Sequence, residues 1–311
     1  MSPESPRPAH GDRLHFGYFS TVPEYRQVNR DLIRQLFARL PNPFVHVDVA
    51  TGTGLVPQLV IEEAKARGYQ GKVIGIDHNP TALEHARAET PVDDCISVEF
   101  IQGDAREIDV LVEGKIPPEG ADSFSIHDAI HEIDGEDEQR RVYEGMARVA
   151  RDRALLTTNS SFTTVSMDVG HSLRGHGEWK LHFVKLTNAK RDRSTETLVY
   201  RTPDDYKRII RDAGFEIIHD EQKVVQLTKA ALKAIAQYPE FVRGMAQDLT
   251  FPRDLSLEEL SEYMSAAVDK LRYEVLPRIW YGLVAQRTGV RTRAGNAGAG
   301  QAAIGDRRAL A

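Results

Sequence analysis

The sequence predicts an α/β fold on a mostly parallel, doubly wound sheet, and three observations carry that reading. Strand-like and helix-like segments alternate through the first half of the chain, the pattern of a parallel sheet covered by helices on both faces. An apolar run, Val45-His46-Val47-Asp48-Val49, passes into the turn Ala50-Thr51-Gly52-Thr53-Gly54 with helical spacing behind it. Two later strands also end in an acid, Val73-Ile74-Gly75-Ile76-Asp77 and Val98-Glu99-Phe100-Ile101-Gln102-Gly103-Asp104.

Taken in order, residues 1–12 are rich in proline and polar groups and are expected to be disordered. Within 13–43, the apolar positions Val28, Leu32, Ile33, Leu36 and Phe37 recur at helical spacing until Pro41. Strands are expected near 44–50, 73–77, 97–102, 121–126 and 153–159, making 44–160 the core. The helix over 55–66 tolerates Pro57 in its first turn and stops at Gly68. A flap over 161–202 then breaks the rhythm with Gly170, Gly175 and Gly177, and a strand pair is expected around 181–186 and 195–200. A helix over 203–213 and a sixth strand from 215 return to the core, which runs to 227. The lid, 228–278, is helical in pattern with breaks at Pro239 and around Phe251-Pro252-Arg253-Asp254, and Ser256 with Glu259 makes a capping box. Trp280-Tyr281-Gly282-Leu283-Val284-Ala285 reads as the last strand, within 279–289, before an Ala- and Gly-rich tail, 290–311, expected to be disordered.

The turn after the first strand has the chemistry of a nucleotide-cofactor site. Gly52 and Gly54 permit backbone angles and a ligand approach that a Cβ would block. The free amides of the following helix favour an anionic or carboxylate-bearing ligand. Asp77, one strand-helix-strand unit later, sits where an acid can accept both hydroxyls of a ribose. A dinucleotide fingerprint would have a third glycine where Pro57 stands, and Asp48 would repel a pyrophosphate but attract an ammonium. S-adenosyl-L-methionine carries a ribose, an adenine and such an ammonium.

The run Asp48-Val49-Ala50-Thr51-Gly52-Thr53-Gly54 resembles the first motif of the class I S-adenosylmethionine-dependent methyltransferases, in the form found in ubiquinone and menaquinone methyltransferases. The resemblance covers about residues 44 to 160, with Ala50 in place of the family's commonest first glycine. It implies a Rossmann-like, seven-stranded sheet whose last strand is antiparallel and inserted between the fifth and sixth. It further implies that Asp48, Ala50, Gly52 and Gly54 hold the methionine part. Asp77, with His78 beside it, would hold the ribose, and Asp104 with Ala105 the adenine end. His127, at the end of the fourth strand, would touch the cofactor. Tyr18, Tyr25 and Arg26 would close over the methionine end, Arg26 pairing with its carboxylate, although a plain surface-helix role suits Arg26 equally.

Composition narrows the partners. A net charge of -6 over 311 residues argues against a nucleic-acid surface, which needs clustered cations. Arg174, Lys180, Lys185, Lys190, Arg191, Arg193 and Arg201 make one basic segment that either faces an anionic small molecule or forms a solvated hairpin. The single cysteine, Cys95, is expected to pack, and its isolation fits a reducing cytoplasm. No signal peptide and no membrane-spanning run is evident. A homodimer is compatible with all of this.

Methyl transfer needs a base only when the acceptor loses a proton. His131 is the first candidate and Glu132 the second, from the run Ser125-Ile126-His127-Asp128-Ala129-Ile130-His131-Glu132. His127 and His131 are four apart, and His171, His176 and His182 cluster loosely with Trp179 on the flap, but no metal site is assigned to either group. Lid residues such as Phe241, Met245, Phe251, Tyr263 and Met264 either line a greasy acceptor pocket or pack the lid onto its domain. The reading is an S-adenosylmethionine-dependent methyltransferase for a small molecule (O-, N- or C-methylation), in specialised metabolism. The alternatives are a non-catalytic scaffold of the same fold, a magnesium-dependent methyltransferase of an isoprenoid diphosphate, and a nicotinamide-dependent dehydrogenase disfavoured by Pro57 and Asp48.

Overall fold

The computed structural model describes residues 17–91, 94–192, 194–195 and 200–288, so the two terminal segments expected to be disordered lie outside the described residues. The chain enters through α1 (Gly17–Ser20) and α2 (Pro23–Phe37). It then alternates through β1 (Phe44–Val49), α3 (Leu55–Arg67), β2 (Gly71–Asp77), α4 (Pro80–Glu89), β3 (Ile96–Gln102), α5 (Ile108–Leu111), β4 (Ala121–His127), α6 (Glu136–Val149) and β5 (Ala150–Ser160). The second half holds α7 (Ser172–Thr187), β6 (Lys190–Arg191), α8 (Pro203–Asp212), β7 (Phe215–Thr228), α9 (Lys229–Ile235), α10 (Pro239–Ala246), β8 (Leu249–Thr250), α11 (Leu257–Asp269) and β9 (Val275–Arg287).

Seven strands form one sheet in the order β3-β2-β1-β4-β5-β9-β7, with β9 antiparallel to both neighbours and the first five strands parallel. The last strand thus lies between the fifth and the sixth long strands, as expected. The order runs outward from β1 to β3 and then restarts at β4 on the other side. That reversal opens a crevice at the carboxyl ends of β1 and β4, where open α/β sheets bind ligands.

The sheet is buried on both faces. On β1, Val47 and Val49 join one apolar layer with Phe124, Val142, Met146 and Ile210, while Phe44 points into the other with Leu36, Phe37 and Leu59. All five apolar positions expected on α2 are buried, and burying side chains of this size stabilises by about 2 kcal/mol each. Gly68, at φ 67°, closes α3, and the Ser256–Glu259 capping box opens α11.

Three local expectations are corrected. Residues 181–186 belong to α7 rather than to a strand. Their Leu-His-Phe-Val-Lys-Leu alternation imitates a strand, but the buried positions Ser172, Gly175, Trp179, Phe183 and Thr187 follow helical spacing. The proposed partner strand at 195–200 lies largely outside the described residues. The lid ends earlier than 278, because β9 already starts at Val275 and pairs along β7 from Phe215 to Thr228. Cys95 is exposed in the turn before β3 and is not a packing residue.

The lid is fastened to α7. Trp179 Nε1 donates to Met264 O at 2.9 Å, Lys180 reaches Asp248 at 2.7 Å, and Arg191 meets the same carboxylate at 3.0 Å. Leu260, Met264 and Val268 are buried, and Phe241, Met245, Phe251 and Tyr263 pack partly buried against the same layer, so the lid's apolar stripe serves packing. Among the described residues no helix is long and apolar enough to cross a membrane.

Two substitutions test this packing. A Cβ at Gly175 would collide with Leu276 Cδ2, which joins α7 to β9. Gly175→Ala is therefore expected to destabilise by about 1–3 kcal/mol, read as a lower urea midpoint; an unchanged midpoint refutes the contact. Ala50 holds φ 53°, a left-handed conformation that a Cβ disfavours by roughly 1–2 kcal/mol. Ala50→Gly should raise the midpoint, with the flexibility glycine adds to the unfolded chain offsetting part of the gain.

Candidate active site

The crevice at the β1–β4 reversal encloses a cavity of about 300 Å³. Its floor is the turn 50–54, where Ala50, Gly52 and Gly54 all take positive φ. Asp77 holds that turn in place: one carboxylate oxygen accepts from Gly52 N at 2.7 Å and the other from Asn79 N at 2.9 Å. Asn79 in turn caps α4. The roof comes from the lid, through Tyr238, Pro239 and Glu240.

Beneath the turn, Asp48 is almost without solvent contact. Thr51 Oγ1 donates to it at 2.6 Å and Ser125 Oγ at 2.5 Å. Behind Ser125 stands His46, whose Nε2 lies 2.9 Å from Ser125 Oγ and whose Nδ1 lies 2.8 Å from Ser123 Oγ. Because Ser125 gives its proton to the Asp48 carboxylate, it accepts from His46 Nε2–H, and Ser123 donates to Nδ1. Burial keeps His46 neutral, lowering it to about 3. The same loss of water raises Asp48 to about 7 against the two hydroxyl donors that favour its charge.

At the end of β4, His127 lines the cavity but has both nitrogens engaged, with Asn29 Oδ1 at 2.8 Å and Thr157 Oγ1 at 3.0 Å. Asp128 follows at φ 50° and accepts from Ser161 N at 2.7 Å and Ser161 Oγ at 3.0 Å. Glu132 accepts from the lid hydroxyl of Tyr238 at 2.9 Å. Desolvation of its carboxyl raises it to about 7, although the residue is exposed at the rim, so Asp48 is the more strongly constrained of the two.

Asp48, Asp77, Asp128, Glu132 and Glu240 line the cavity, and among the described residues no lysine or arginine does. The lining favours a cationic ligand. Among the described residues no three His, Cys, Asp or Glu side chains converge in a way that could hold a metal ion.

Of the residues singled out in the sequence, Asp48, Ala50, Gly52, Asp77, His78, His127 and Glu132 meet at the cavity. Most of the others stand elsewhere. Gly54 caps α3 from below, where a Cβ would press on Ala86 at 3.1 Å. Asp104 caps the turn at Ala105 and grips Arg106 at 2.9 Å, which lowers it to about 2. Arg26 is spent on the outer face of α3, through Gln58 at 3.3 Å and Glu62 at 2.9 Å. Tyr18 lies in α1, outside the lining. His131 stacks on Phe162 at 4.1 Å behind the cavity wall, and burial lowers it to about 3. The flap histidines do not converge: His171 bonds Val275 O, His176 faces inward toward Arg278, and His182 turns to Glu178. Tyr25, named with Tyr18 and Arg26, does line the cavity, and the lining residues not singled out include Asp128, Tyr238 and Glu240. Asp128 was adjacent to a chosen residue, whereas nothing local marks the lid residues, which arrive only through packing.

The sequence profile of the methyltransferase domain family matches residues 44–233. No curated protein matches the chain at a significant level. Among solved structures, loganic acid methyltransferase with SAH is 13% identical, with a TM-score of 0.56 over 91% of this chain and 99% of that one. A SAM-dependent methyltransferase from Methanosarcina mazei is 15% identical, with a TM-score of 0.47 over 81% and 96%. Magnesium protoporphyrin IX methyltransferase from Synechocystis PCC 6803 is 15% identical, with a TM-score of 0.48 over 85% and 84%. With the acid-lined cavity at the β1–β4 reversal and the profile match across most of the sheet, the chain belongs to the methyltransferase domain family, the class I methyltransferases that use S-adenosyl-L-methionine.

Proposed function

We propose that the protein methylates a small-molecule acceptor in this crevice, with five carboxylates around a cavity that no described lysine or arginine lines as the observation that carries the reading. The residues present fit the cofactor: the glycine turn leaves its backbone open, and the negative lining suits an ammonium and a sulfonium. When bound, S-adenosylmethionine supplies a methyl group activated by positively charged sulfur. In this reading Asp48 and the turn 50–54 hold the methionine part, while Asp77 uses its remaining lone pairs for the ribose. The lid residues Tyr238 and Glu240 keep bulk water from the crevice, which matters because a polar solvent favours the charged reactant over the neutral thioether.

The base role moves from His131 to Glu132. His131 lies behind the wall and is held neutral, whereas Glu132 borders the cavity and titrates near neutral pH. The enclosed roof and the net charge of -6 favour a small acceptor over a nucleic acid. The diphosphate alternative gains no support, since Lys180 and Arg191 are taken by Asp248 and Arg201 by Glu136.

Calorimetric titration with S-adenosylmethionine, S-adenosylhomocysteine and NAD tests the assignment. The first two should bind and NAD should not. Asp77→Asn should weaken both by about 10- to 100-fold, the cost of losing a hydrogen bond to a charged group. NAD binding alone would overturn the reading.

The acids give a pH dependence with a definite sign. Burial raises Asp48 and Glu132 above their unfolded values to about 7, so the stability they contribute is full below about pH 4 and is lost as pH rises through 7. Affinity for the cationic cofactor runs the opposite way, rising between pH 6 and 8 by up to about tenfold per pH unit for each proton released. Asp48→Asn should remove most of this slope and Glu132→Gln a smaller part. A flat profile in the native protein would contradict the account.

A further inference from the structure

β9 carries a buried cation with no carboxylate in contact among the described residues. Arg278 is 5% exposed, and among the described residues no carboxylate lies within 4.0 Å of it. Its Nε donates to Ser161 O at 2.8 Å, Nη1 lies 3.3 Å from His176 Nε2, and the guanidinium sits over the Phe162 ring at 4.7 Å. The Tyr200 hydroxyl interacts with the guanidinium and Asp128 favours its charge, which leaves Nη2 as the nitrogen with no hydrogen-bond partner. A buried guanidinium with an N–H left open and no carboxylate in contact is costly.

Two more buried polar atoms in the same region are unpartnered, Trp280 Nε1 and Asn159 Oδ1. Arg278 and Trp280 are two apart on β9 and share one face. Asn159 lies opposite Gly282, the next position on that face, across the β5–β9 pairing. All three stand toward the carboxyl edge of the sheet, Asn159 paired beside His127 of β4 and the other two one strand further out on β9.

Each is one contact removed from the cofactor cavity. Trp280 faces Tyr25 with ring centroids 6.3 Å apart, and Tyr25 lines the cavity. Asn159 donates to Asn29 Oδ1 at 2.9 Å, which also holds His127. Arg278 connects through Ser161, which donates to Asp128 from both its backbone amide and its hydroxyl. Buried polar groups in native proteins are nearly always paired, so two donors and one acceptor left open together point to a ligand.

We propose that Arg278, Trp280 and Asn159 form the acceptor subsite and that the acceptor is a small carboxylic acid, its carboxylate received by Arg278 Nη2 and Trp280 Nε1. Asn159 Oδ1 then takes a hydroxyl or amine proton of the same molecule. This rests on the methyltransferase reading and deepens it by naming the substrate class. The arrangement separates the two charges in the site: the acid-lined cavity takes the cation, and the arginine takes the anion.

The test uses the full-length protein saturated with S-adenosylhomocysteine and titrated with benzoate, indole-3-acetate and octanoate, each against its primary amide, and with phenyl phosphate. At least one carboxylate should bind roughly tenfold or more tightly than its amide, the size expected for a charge-assisted hydrogen bond. Arg278→Gln should abolish that preference and Arg278→Lys should reduce it. Trp280→Phe, which removes one N–H and keeps the ring bulk, should lower the preference severalfold and covers the case in which Arg278 variants fail to fold. No carboxylate preference, a preference that survives Arg278→Gln or is undiminished in Trp280→Phe, or stronger binding of phenyl phosphate overturns the proposal. Failure of the native protein to bind S-adenosylhomocysteine would instead refute the methyltransferase reading itself.

Discussion

The Asp48 carboxyl, held out of water between β1 and β4, is the constraint on which the rest of the site depends. It sits at the reversal of strand order, where two neighbouring strands diverge to opposite sides of the sheet and leave a crevice. A carboxylate in that position is tolerable only because Thr51 and Ser125 donate to it, and Ser125 is in turn oriented by a neutral His46. Register makes this possible, since β1 and β4 pair His46 with Ser123 and Asp48 with Ser125. One run of alternating polar and apolar residues therefore supplies both a packed core face and a poised charge.

Strain collects at the same place. Ala50 and Asp128, at the carboxyl ends of β1 and β4, both hold positive φ without being glycine. Residues in such conformations persist where the surroundings determine them, and they concentrate at functional sites. Here the Asp77–Gly52 hydrogen bond fixes one turn, and the Ser161–Asp128 pair fixes the other. The crevice is shaped by backbone geometry before any ligand enters, which reduces the ordering that binding must impose.

The charge pattern separates into two zones. Carboxylates surround the cavity above β1 and β2, whereas the buried guanidinium of Arg278 lies beyond β5 on β9. Between them stand neutral imidazoles, His127 and His131, whose burial keeps them from ionising at neutral pH. The two zones meet at Asp128, which lines the cavity, favours the charge of Arg278 and is bridged to it by Ser161 rather than in direct contact.

The sequence by itself determined the sheet, its glycine turn and the acids at its strand ends, because strand periodicity, positive-φ glycines and helix caps are local signals carried by a few adjacent residues. Asp48, Asp77 and His127 were legible for that reason, and so was the capping box at Ser256. Only the tertiary structure decided that Asp104 and Arg26 are taken by nearby Arg106 and Glu62. It also placed His131 behind the wall, brought Tyr238 and Glu240 over the cavity, and buried Arg278 with no carboxylate in contact among the described residues. Tyr238 and Glu132 are 106 residues apart and Arg278 and Ser161 117. No local pattern reports such a meeting, because it depends on how α7 and the lid pack against β9, and that packing is a property of the whole core.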